Sequence, residues 1–373
     1  MDATPSFRRP DAKCLLSIDG GGIRGIYALQ ILKRIEQIAE QYSGNPDIRL
    51  SQCFDYIGGT STGGIIAAAL ALGMRAGEVE AFYLQQARHM FTPNTNWIKR
   101  FTSARYDSAT LETELQEVFG ATTTLGSPRL QTLLMLVMMN ASTSSPWPLS
   151  SNPRALFNDI ATCGAASNLH LPLWQLVRAS AAAPFFFAPE AIEIAGRELL
   201  FFDGALTSFN NPAFKLFQMA TLPEYKLGWP TGADKLLLVS VGTGLLPHSL
   251  AQTTAGSVNF LASLPAAIQS LMFSGTVEQD MLCRSFADVR AGDAIDGEVG
   301  SLRDASPIGG NALFSYARYN SDLSAGGLIA SGFERYVASS FGIDAFSAIE
   351  PCIEIGSLAA REQVRAEHFG GFW

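Results

Sequence analysis

A serine in a glycine-rich turn is the first residue of this chain whose type and setting indicate chemistry. Ser61 lies within Gly59–Gly63, which reads G-T-S-T-G and matches the pattern G-x-S-x-G. The apolar run Phe54–Ile57 before it predicts a buried strand, and Gly63–Leu72 after it predicts a helix. At such a turn the serine hydroxyl projects above the sheet edge, close to the free N–H groups of a helix N-terminus. Ser61 is therefore a candidate nucleophile.

A second glycine-rich segment, Asp19–Gly25, follows the predicted strand Lys13–Ile18 and precedes a predicted helix. It contains G-x-G-x-x-G, which opens dinucleotide-binding folds when an acidic residue ends the next strand. Here the acid, Asp55, lies inside that strand, so we favour an anion-holding loop in which successive glycine N–H groups point inward. Arg24 either contacts the anion or anchors the loop.

Ester hydrolysis by a serine also requires a base for its proton and donors for the oxyanion. Asp203 follows the apolar residues LLFF at the end of a hairpin predicted over Glu190–Phe202. Apolar surroundings raise the pKa of a carboxyl group toward neutrality, which lets it act as a base. We predict that Asp203 is the base and that the oxyanion is bound by the backbone N–H groups of Gly20, Gly21 and Gly22.

A histidine base is the alternative, because a Ser-His-Asp triad is the commoner arrangement. Two histidines follow Asp203 in the chain, but neither lies in a turn at the end of a predicted strand. The four histidines are His89, His170, His248 and His368.

The elements around these residues predict an α/β fold whose central sheet is mostly parallel. Several predicted strands end in turns that contain Gly or Asp, and in such sheets ligands bind at the carboxyl edge. Further strands are predicted over Leu130–Met139 and Lys235–Val241, and helices over Ala76–Phe91, Ser108–Phe119 and Pro172–Ala183.

The remaining segments give weaker patterns. Residues 94–106 are either a flap or an ordinary connection, and residues 141–153 are predicted to be a loop. After residue 245 we expect a helix over Val258–Phe286 broken near Pro265, loops over residues 287–311, a strand over Leu313–Tyr319, and helices over Phe333–Phe346 and Ser357–His368. We divide the chain into a lead (1–12), a catalytic core (13–245) and a C-terminal elaboration packed on the same domain (246–373).

Composition excludes some classes of protein. Hydrophobic residues make up 47% of the 373 residues and charged residues 16%, which is typical of a globular chain. The net charge of −8 argues against binding to nucleic acid polymers. The five cysteines are scattered without a C-x-x-C motif, as in a reduced cytosolic protein. We find neither a secretory signal nor a run of about 18 apolar residues, so a lipid substrate would be reached from the aqueous side.

Together these segments resemble the patatin-like phospholipase family. Asp19–Gly25 is similar to the oxyanion loop of that family, Gly59–Gly63 to its nucleophile elbow, and Asp203-Gly204-Ala205 to its Asp-Gly-Ala/Gly box. The segments RASAAAPFFF and VSVGTG are also similar to family sequences, and the resemblance spans about residues 13 to 245 in the expected order.

The resemblance implies a three-layer α/β/α fold and a catalytic dyad of Ser61 and Asp203. It further implies hydrolysis of acyl esters, mostly of phospholipids, without a metal or cofactor. Its motifs give supporting roles to Arg24, Gly25, Gly59, Gly63, Gly204 and Ala205.

The length and the C-terminal segment LFSYARYN look like bacterial members of the family. Some of those are anti-phage effectors that bind a cyclic dinucleotide, form oligomers and degrade the inner membrane. This likeness implies a cytoplasmic homo-oligomer that lies at the inner membrane when active and is activated by a cyclic dinucleotide. We favour a solvated surface charge as the role of each candidate phosphate contact. These candidates are Lys99, Arg100, Arg105 and Arg318.

Two alternatives remain open at this point. One is a lipid acyl hydrolase or esterase that works constitutively, without nucleotide control. The other is a lipid-binding or storage protein without catalytic activity.

Overall fold

A mixed β-sheet with helices on both faces forms the centre of the molecule. The computed structural model describes residues 7–90, 108–184, 186–247, 260–342 and 344–373. Nine strands of this described part form one sheet: β1 (Lys13–Ile18), β2 (Tyr56–Thr60), β3 (Leu133–Asn140), β4 (Ser145–Ser150), β5 (Glu190–Ile194), β6 (Arg197–Asp203), β7 (Leu236–Val241), β8 (Ala287–Ala291) and β9 (Phe314–Tyr319).

The order of the strands is β5-β6-β3-β2-β1-β7-β9-β8, and β4 also pairs with β3. Every neighbouring pair from β3 through β2, β1, β7 and β9 to β8 is parallel, whereas β4, β5 and β6 pair antiparallel. The mostly parallel α/β sheet predicted from the sequence is confirmed.

The helices are α1 (Gly25–Ser43), α2 (Leu50–Cys53), α3 (Thr62–Ala71), α4 (Ala76–Met90), α5 (Ser108–Phe119), α6 (Ile160–Cys163), α7 (Leu173–Ser180), α8 (Ala213–Thr221), α9 (Phe260–Phe286), α10 (Ala325–Ala330) and α11 (Ile349–Gln363). Short 3₁₀ turns occupy Gly22–Arg24, Gly164–Ala166, Asn168–His170, Gly204–Leu206, Pro223–Tyr225, Glu334–Tyr336, Phe346–Ala348 and Ala366–Phe369.

Alternating side chains of the strands divide the core between the two faces of the sheet. In β1, Cys14 and Leu16 pack with α1, α3, α4, α7 and α11 on one face, while Leu15 packs with α8 and α9 on the other. This is the alternation that a strand buried on both faces requires. The result is three layers, with helices above and below the sheet.

Five predictions on the local structure were wrong. Residues 141–153 are not a continuous loop, because Ser145–Ser150 forms β4. Its prolines, Pro146 and Pro148, pair opposite Met139 and Val137 on an edge strand, where a missing N–H costs little. Residues 287–311 are not all loop either, because Ala287–Ala291 forms the edge strand β8.

The other three wrong predictions concern helices. The helix Phe260–Phe286 continues through Pro265, since losing one backbone hydrogen bond does not end a helix of 27 residues. Residues 333–346 contain only 3₁₀ turns, and the last α-helix begins at Ile349 instead of Ser357. The predicted flap at residues 94–106 lies outside the described residues.

Strands β5 and β6 form the predicted hairpin. Its tip, Ala195-Gly196, has positive φ at both residues, 52° and 74°, as a type I′ turn requires. The hairpin brings β6 back to the sheet, where Asp203 pairs with Met138 of β3.

A buried ion pair connects the end of β1 to β9, far along the chain. Arg318 donates to both carboxylate oxygens of Asp19, at 2.8 and 2.5 Å, and to the Ser240 hydroxyl at 2.7 Å. The side chains of Arg318 and Asp19 are 3% and 2% exposed. Arg318 is therefore neither a free phosphate contact nor a solvated charge, and both interpretations of it were wrong. Lys99, Arg100 and Arg105 lie outside the described residues.

We expect Arg318→Met to lower the free energy of unfolding by about 3–5 kcal/mol, because it leaves the Asp19 carboxylate buried without its partner. Arg9→Met is the matched control, since Arg9 pairs with Asp11 at the surface with side chains 39% and 53% exposed. That variant should lose far less stability, because solvent screens the exposed pair. Urea denaturation measures both, and equal losses would contradict the structural role of the buried pair.

Candidate active site

Ser61 occupies a strained position between β2 and α3. Its φ of 55° and ψ of −125° lie in a region that non-glycine residues rarely adopt. The residues two before and two after it must be glycine, because a Cβ on Gly59 would collide with the Gly63 carbonyl and a Cβ on Gly63 with the Ile18 carbonyl. The Ser61 amide donates to Ser180 Oγ at 3.0 Å, and that hydroxyl donates to the Val137 carbonyl at 2.6 Å.

The structure brings Ser61 and Asp203 together. Ser61 Oγ donates to Asp203 Oδ2 at 2.6 Å, and the amide of Ala205 donates to Asp203 Oδ1 at 2.8 Å. Asp203 is 2% exposed, and this burial raises the pKa of its carboxyl group to about 7 although the two hydrogen bonds lower it. A carboxylate in this state can accept a proton from a hydroxyl near neutral pH.

Strand pairing along β3 explains why these two residues meet. The parallel ladder between β2 and β3 ends at Thr60 opposite Val137. The next residue of β3, Met138, pairs with Asp203 of β6. Strand β4 pairs with the other edge of β3 over Met135–Asn140. Strand β6 therefore pairs with the same edge as β2, beyond the residue where β2 ends. Asp203 therefore lies beside Ser61.

Gly204 and Ala205 complete this junction. A Cβ on Gly204 would collide with the Val137 carbonyl and approach Thr60 Cγ2, so only glycine allows the backbone to pass here. Residues 204–206 form a 3₁₀ turn that directs the Ala205 amide at the carboxylate.

Among the described side chains, no histidine is hydrogen-bonded to Ser61 or Asp203. His368 is buried and contacts the Tyr319 hydroxyl at 2.9 Å, while His170 is exposed. The side chain of His89 and the whole of His248 lie outside the described residues.

The three glycines predicted to bind the oxyanion differ in their hydrogen bonding. The amide of Gly20 already donates to the Asn210 carbonyl at 3.0 Å, so the prediction for Gly20 is contradicted. The amides of Gly21 and Gly22 donate to no acceptor in the described part of the chain, and neither does the amide of Thr62. Thr62 was missed, although the residue after a nucleophile in this type of turn is a common oxyanion donor.

Side chains from distant elements hold the glycine loop in place. Thr243 Oγ1 donates to the Gly20 carbonyl at 2.8 Å, and Tyr83 donates to the Gly22 carbonyl at 2.5 Å. Arg24 Nε donates to the Gly21 carbonyl at 3.4 Å, which agrees with the anchoring interpretation of Arg24. A Cβ on Gly25 would press against the Thr62 side chain, so this glycine lets the loop approach the nucleophile turn.

The acidic residue considered for a dinucleotide site has a structural role. Asp55 pairs with Arg8 and Lys13 and accepts from the Cys14 amide at 2.8 Å, at the amino end of the parallel strands. The glycine loop lies at their carboxyl end, so Asp55 and the loop do not form one site.

Among the described residues, no cluster of three or more His, Cys, Asp or Glu side chains could hold a metal ion. None of the helices in the described part is long and apolar enough to cross a membrane.

Comparison with known proteins places this geometry in a family. The family model of patatin-like phospholipases matches residues 16–216, more than half of the 373 residues. The cGAMP-activated phospholipase of Escherichia coli (strain TW11681) is 30% identical over 234 residues, 61% of this chain and 61% of that protein. Patatin-1-Kuras 2 of Solanum tuberosum is 30% identical over 247 residues, 62% of each chain.

The matched region thus spans about three fifths of the length of these relatives. Among solved structures, VipD from Legionella pneumophila is similar with a TM-score of 0.37 and 12% identity, over 95% of this chain and 68% of that chain. The family match includes the glycine loop, Ser61 and Asp203. On that match, this chain belongs to the patatin-like phospholipase family.

Proposed function

We propose that this protein is a serine lipid acyl hydrolase that cleaves the acyl esters of membrane phospholipids with a dyad of Ser61 and Asp203. The observation that carries the proposal is the 2.6 Å hydrogen bond from Ser61 Oγ to the buried carboxylate of Asp203. Membership of the patatin-like phospholipase family supports it, as does the similarity to a phospholipase of E. coli.

In the first half of the reaction, Asp203 accepts the Ser61 proton while Oγ bonds to the carbonyl carbon of the ester. The carbonyl electron pair moves to oxygen, and the amides of Gly21, Gly22 and Thr62 stabilise the resulting oxyanion. When the intermediate collapses, the bond to the alcohol breaks and the alcohol takes the proton from Asp203. An acyl ester of Ser61 remains.

The second half returns the enzyme to its starting state. A water molecule gives a proton to Asp203 and attacks the acyl carbon, which forms a second oxyanion at the same donors. Collapse releases the fatty acid, and the Ser61 oxygen takes the proton back from Asp203. One ester and one water are consumed for each alcohol and fatty acid released.

We expect Ser61→Ala and Asp203→Ala to abolish the release of fatty acid from phospholipid vesicles while the proteins stay folded by circular dichroism. Ser331→Ala, at an exposed serine, is the matched control and should keep full activity. Labelling of the wild type, and not of Ser61→Ala, by a fluorophosphonate probe would exclude the non-catalytic alternative. Full activity of Asp203→Ala would contradict the dyad.

The pH dependence of the reaction follows from the base. Because only ionised Asp203 accepts a proton, we expect kcat/KM for a soluble aryl ester to rise with pH and level off above about 7, the pKa of this group. Measurements between pH 5 and 9 test this. A rise centred near pH 4 would mean that the carboxylate is not held in the apolar setting that its role requires.

The same raised pKa has a cost for stability. Folding favours the protonated form of Asp203, because the pKa of this group is higher in the folded protein than in the unfolded chain. The stabilisation from this group is complete below the ordinary pKa of 3.8 and is lost as pH rises through about 7. Asp203→Asn cannot ionise, and we expect it to unfold with a free energy up to about 4 kcal/mol above the wild type at pH 8. Urea denaturation should give no such gain at pH 4, and a gain of equal size there would contradict this origin.

We further propose that a cyclic dinucleotide activates the enzyme, that it works as a homo-oligomer, and that it acts in the cytoplasm at the inner membrane surface. The observation in favour is the similarity to a relative described as a cGAMP-activated phospholipase. The proposed oligomeric state and the proposed location at the inner membrane rest on that relationship and on the family resemblance of the C-terminal segment.

One assay separates regulated from constitutive activity. Vesicle hydrolysis is measured with and without a panel of cyclic dinucleotides, and we expect one of them to raise the rate at least about tenfold, which corresponds to about 1.4 kcal/mol. Light scattering on the same samples reports the oligomeric state, and co-sedimentation with vesicles reports membrane binding. A full rate without nucleotide, and no gain with any, would favour the constitutive alternative.

A further inference from the structure

A cleft with a mixed polar and apolar lining lies beside the glycine loop, between that loop, helix α9 and the residues that follow β9. Its polar lining includes Arg24, Asn210, Thr243, Gln269, Thr276 and Asn320. Neither Ser61 nor Asp203 lines it, so the proposed reaction does not account for these groups. The cleft has room for a few water molecules, which is enough for a phosphate group.

Among the described residues, Arg24 has no counter-ion in this cleft. It is 8% exposed, and within the described part of the chain its hydrogen bonding is limited to the one from Nε to the Gly21 carbonyl. No described carboxylate lies within 4 Å of its guanidinium group, and the acid of the cleft, Asp19, is already held by Arg318. Burial lowers the pKa of Arg24, which reflects the cost of keeping this charge away from water. An anion in the cleft would offset that cost.

Two amide side chains, Asn210 and Asn320, place hydrogen-bonding groups in the same cleft as the Arg24 guanidinium group. Asn210 is 7% exposed, and its Oδ1 is buried with no hydrogen-bond donor among the described residues. Asn320 Oδ1 accepts from the Gly244 amide at 2.8 Å, which leaves its Nδ2 with no acceptor among the described residues. Gly242 leaves the space that the Asn320 side chain occupies, because a Cβ at residue 242 would collide with the Asn320 amide. Within the described part of the chain, the cleft thus combines a cation with an N–H donor and an acceptor that have no partner there.

We infer that this cleft binds the phosphate of a phosphodiester. The guanidinium group of Arg24 would pair with two phosphate oxygens, which its planar fork matches. Asn320 Nδ2 would donate to the phosphate, and Asn210 Oδ1 would accept from a neighbouring hydroxyl of the ligand. Because Arg24 also holds Gly21, an occupied cleft would restrain the glycine loop next to the nucleophile.

Two kinds of ligand contain such a phosphodiester, a phospholipid with its headgroup and a cyclic dinucleotide. The choice of these two ligands rests on the proposed function. Binding of a phosphate in the cleft can be measured without any hydrolysis of lipid. Binding is therefore measured by calorimetry on the full chain with Ser61→Ala, which is expected not to turn the lipid over. The probes are dihexanoyl phosphatidylglycerol below its micellar concentration and cyclic GMP-AMP, each compared with a phosphate-free counterpart, dihexanoylglycerol and adenosine.

We expect at least one phosphate-bearing probe to bind at least about tenfold more tightly than its counterpart. Arg24→Met should remove that preference, and Arg24→Lys should keep part of it. Gln269→Glu places a negative charge on the α9 side of the cleft and should weaken binding about tenfold. Gln37→Glu is the matched control, at an exposed position about 18 Å along α1 from the glycine loop, and should bind as the parent does.

Three outcomes would overturn the inference: no binding of either probe, binding without a phosphate preference, or a preference that survives both Arg24→Met and Gln269→Glu. If Arg24→Met fails to fold, Gln269→Glu and Asn320→Asp still decide, since both keep the size of the side chain they replace. Tight binding of only one probe identifies the source of the phosphate. Phosphate binding in a protein that hydrolyses no vesicle lipid would refute the proposed function and leave this site standing.

Discussion

The contact between Ser61 and Asp203 depends on the way two strands pair with the same edge of β3. Strand β2 uses the edge as far as Val137, and β6 uses it from Met138 onward. The nucleophile turn and the carboxylate are consequently positioned by backbone hydrogen bonds on a single strand. Two segments separated by 142 residues in sequence thus meet with a 2.6 Å contact, without a long loop that must fold into place.

Two buried carboxylates at the same end of the sheet have different surroundings. Asp19 is neutralised by Arg318, and that pair ties the glycine loop to β9. Asp203 has no cationic partner in the described part of the chain, and its only charge-stabilising contacts are Ser61 and the Ala205 amide. A cation beside Asp203 would stabilise the ionised form and make it a weaker base. The strained backbone of Ser61 and the buried carboxyl group of Asp203 are both unfavourable for folding. They are tolerated because the surrounding core is extensively buried.

Features that depend on neighbouring residues were predictable from the sequence. The turn at Ser61, the glycine loop and the hairpin before Asp203 each combine an apolar run with turn residues, and each was located correctly as a local element. The features that the sequence did not reveal depend on distant partners. Nothing near Gly20 indicates that the Asn210 carbonyl accepts its amide. The partner of Arg318, Asp19, lies 299 residues away in the sequence. Strand β4 was missed because two prolines in six residues normally indicate a loop.

The hairpin of β5 and β6 has a further consequence for how this protein can vary in length. Side chains alternate along a strand, so one residue inserted between Arg197 and Asp203 would turn the carboxylate toward the opposite face of the sheet. An insertion at Ala195-Gly196 would lengthen only the tip and leave the pairing of Asp203 with Met138 intact. Natural homologues and engineered fusions are therefore free to differ in loop length at that tip, whereas the spacing from Arg197 to Asp203 has to be inherited unchanged.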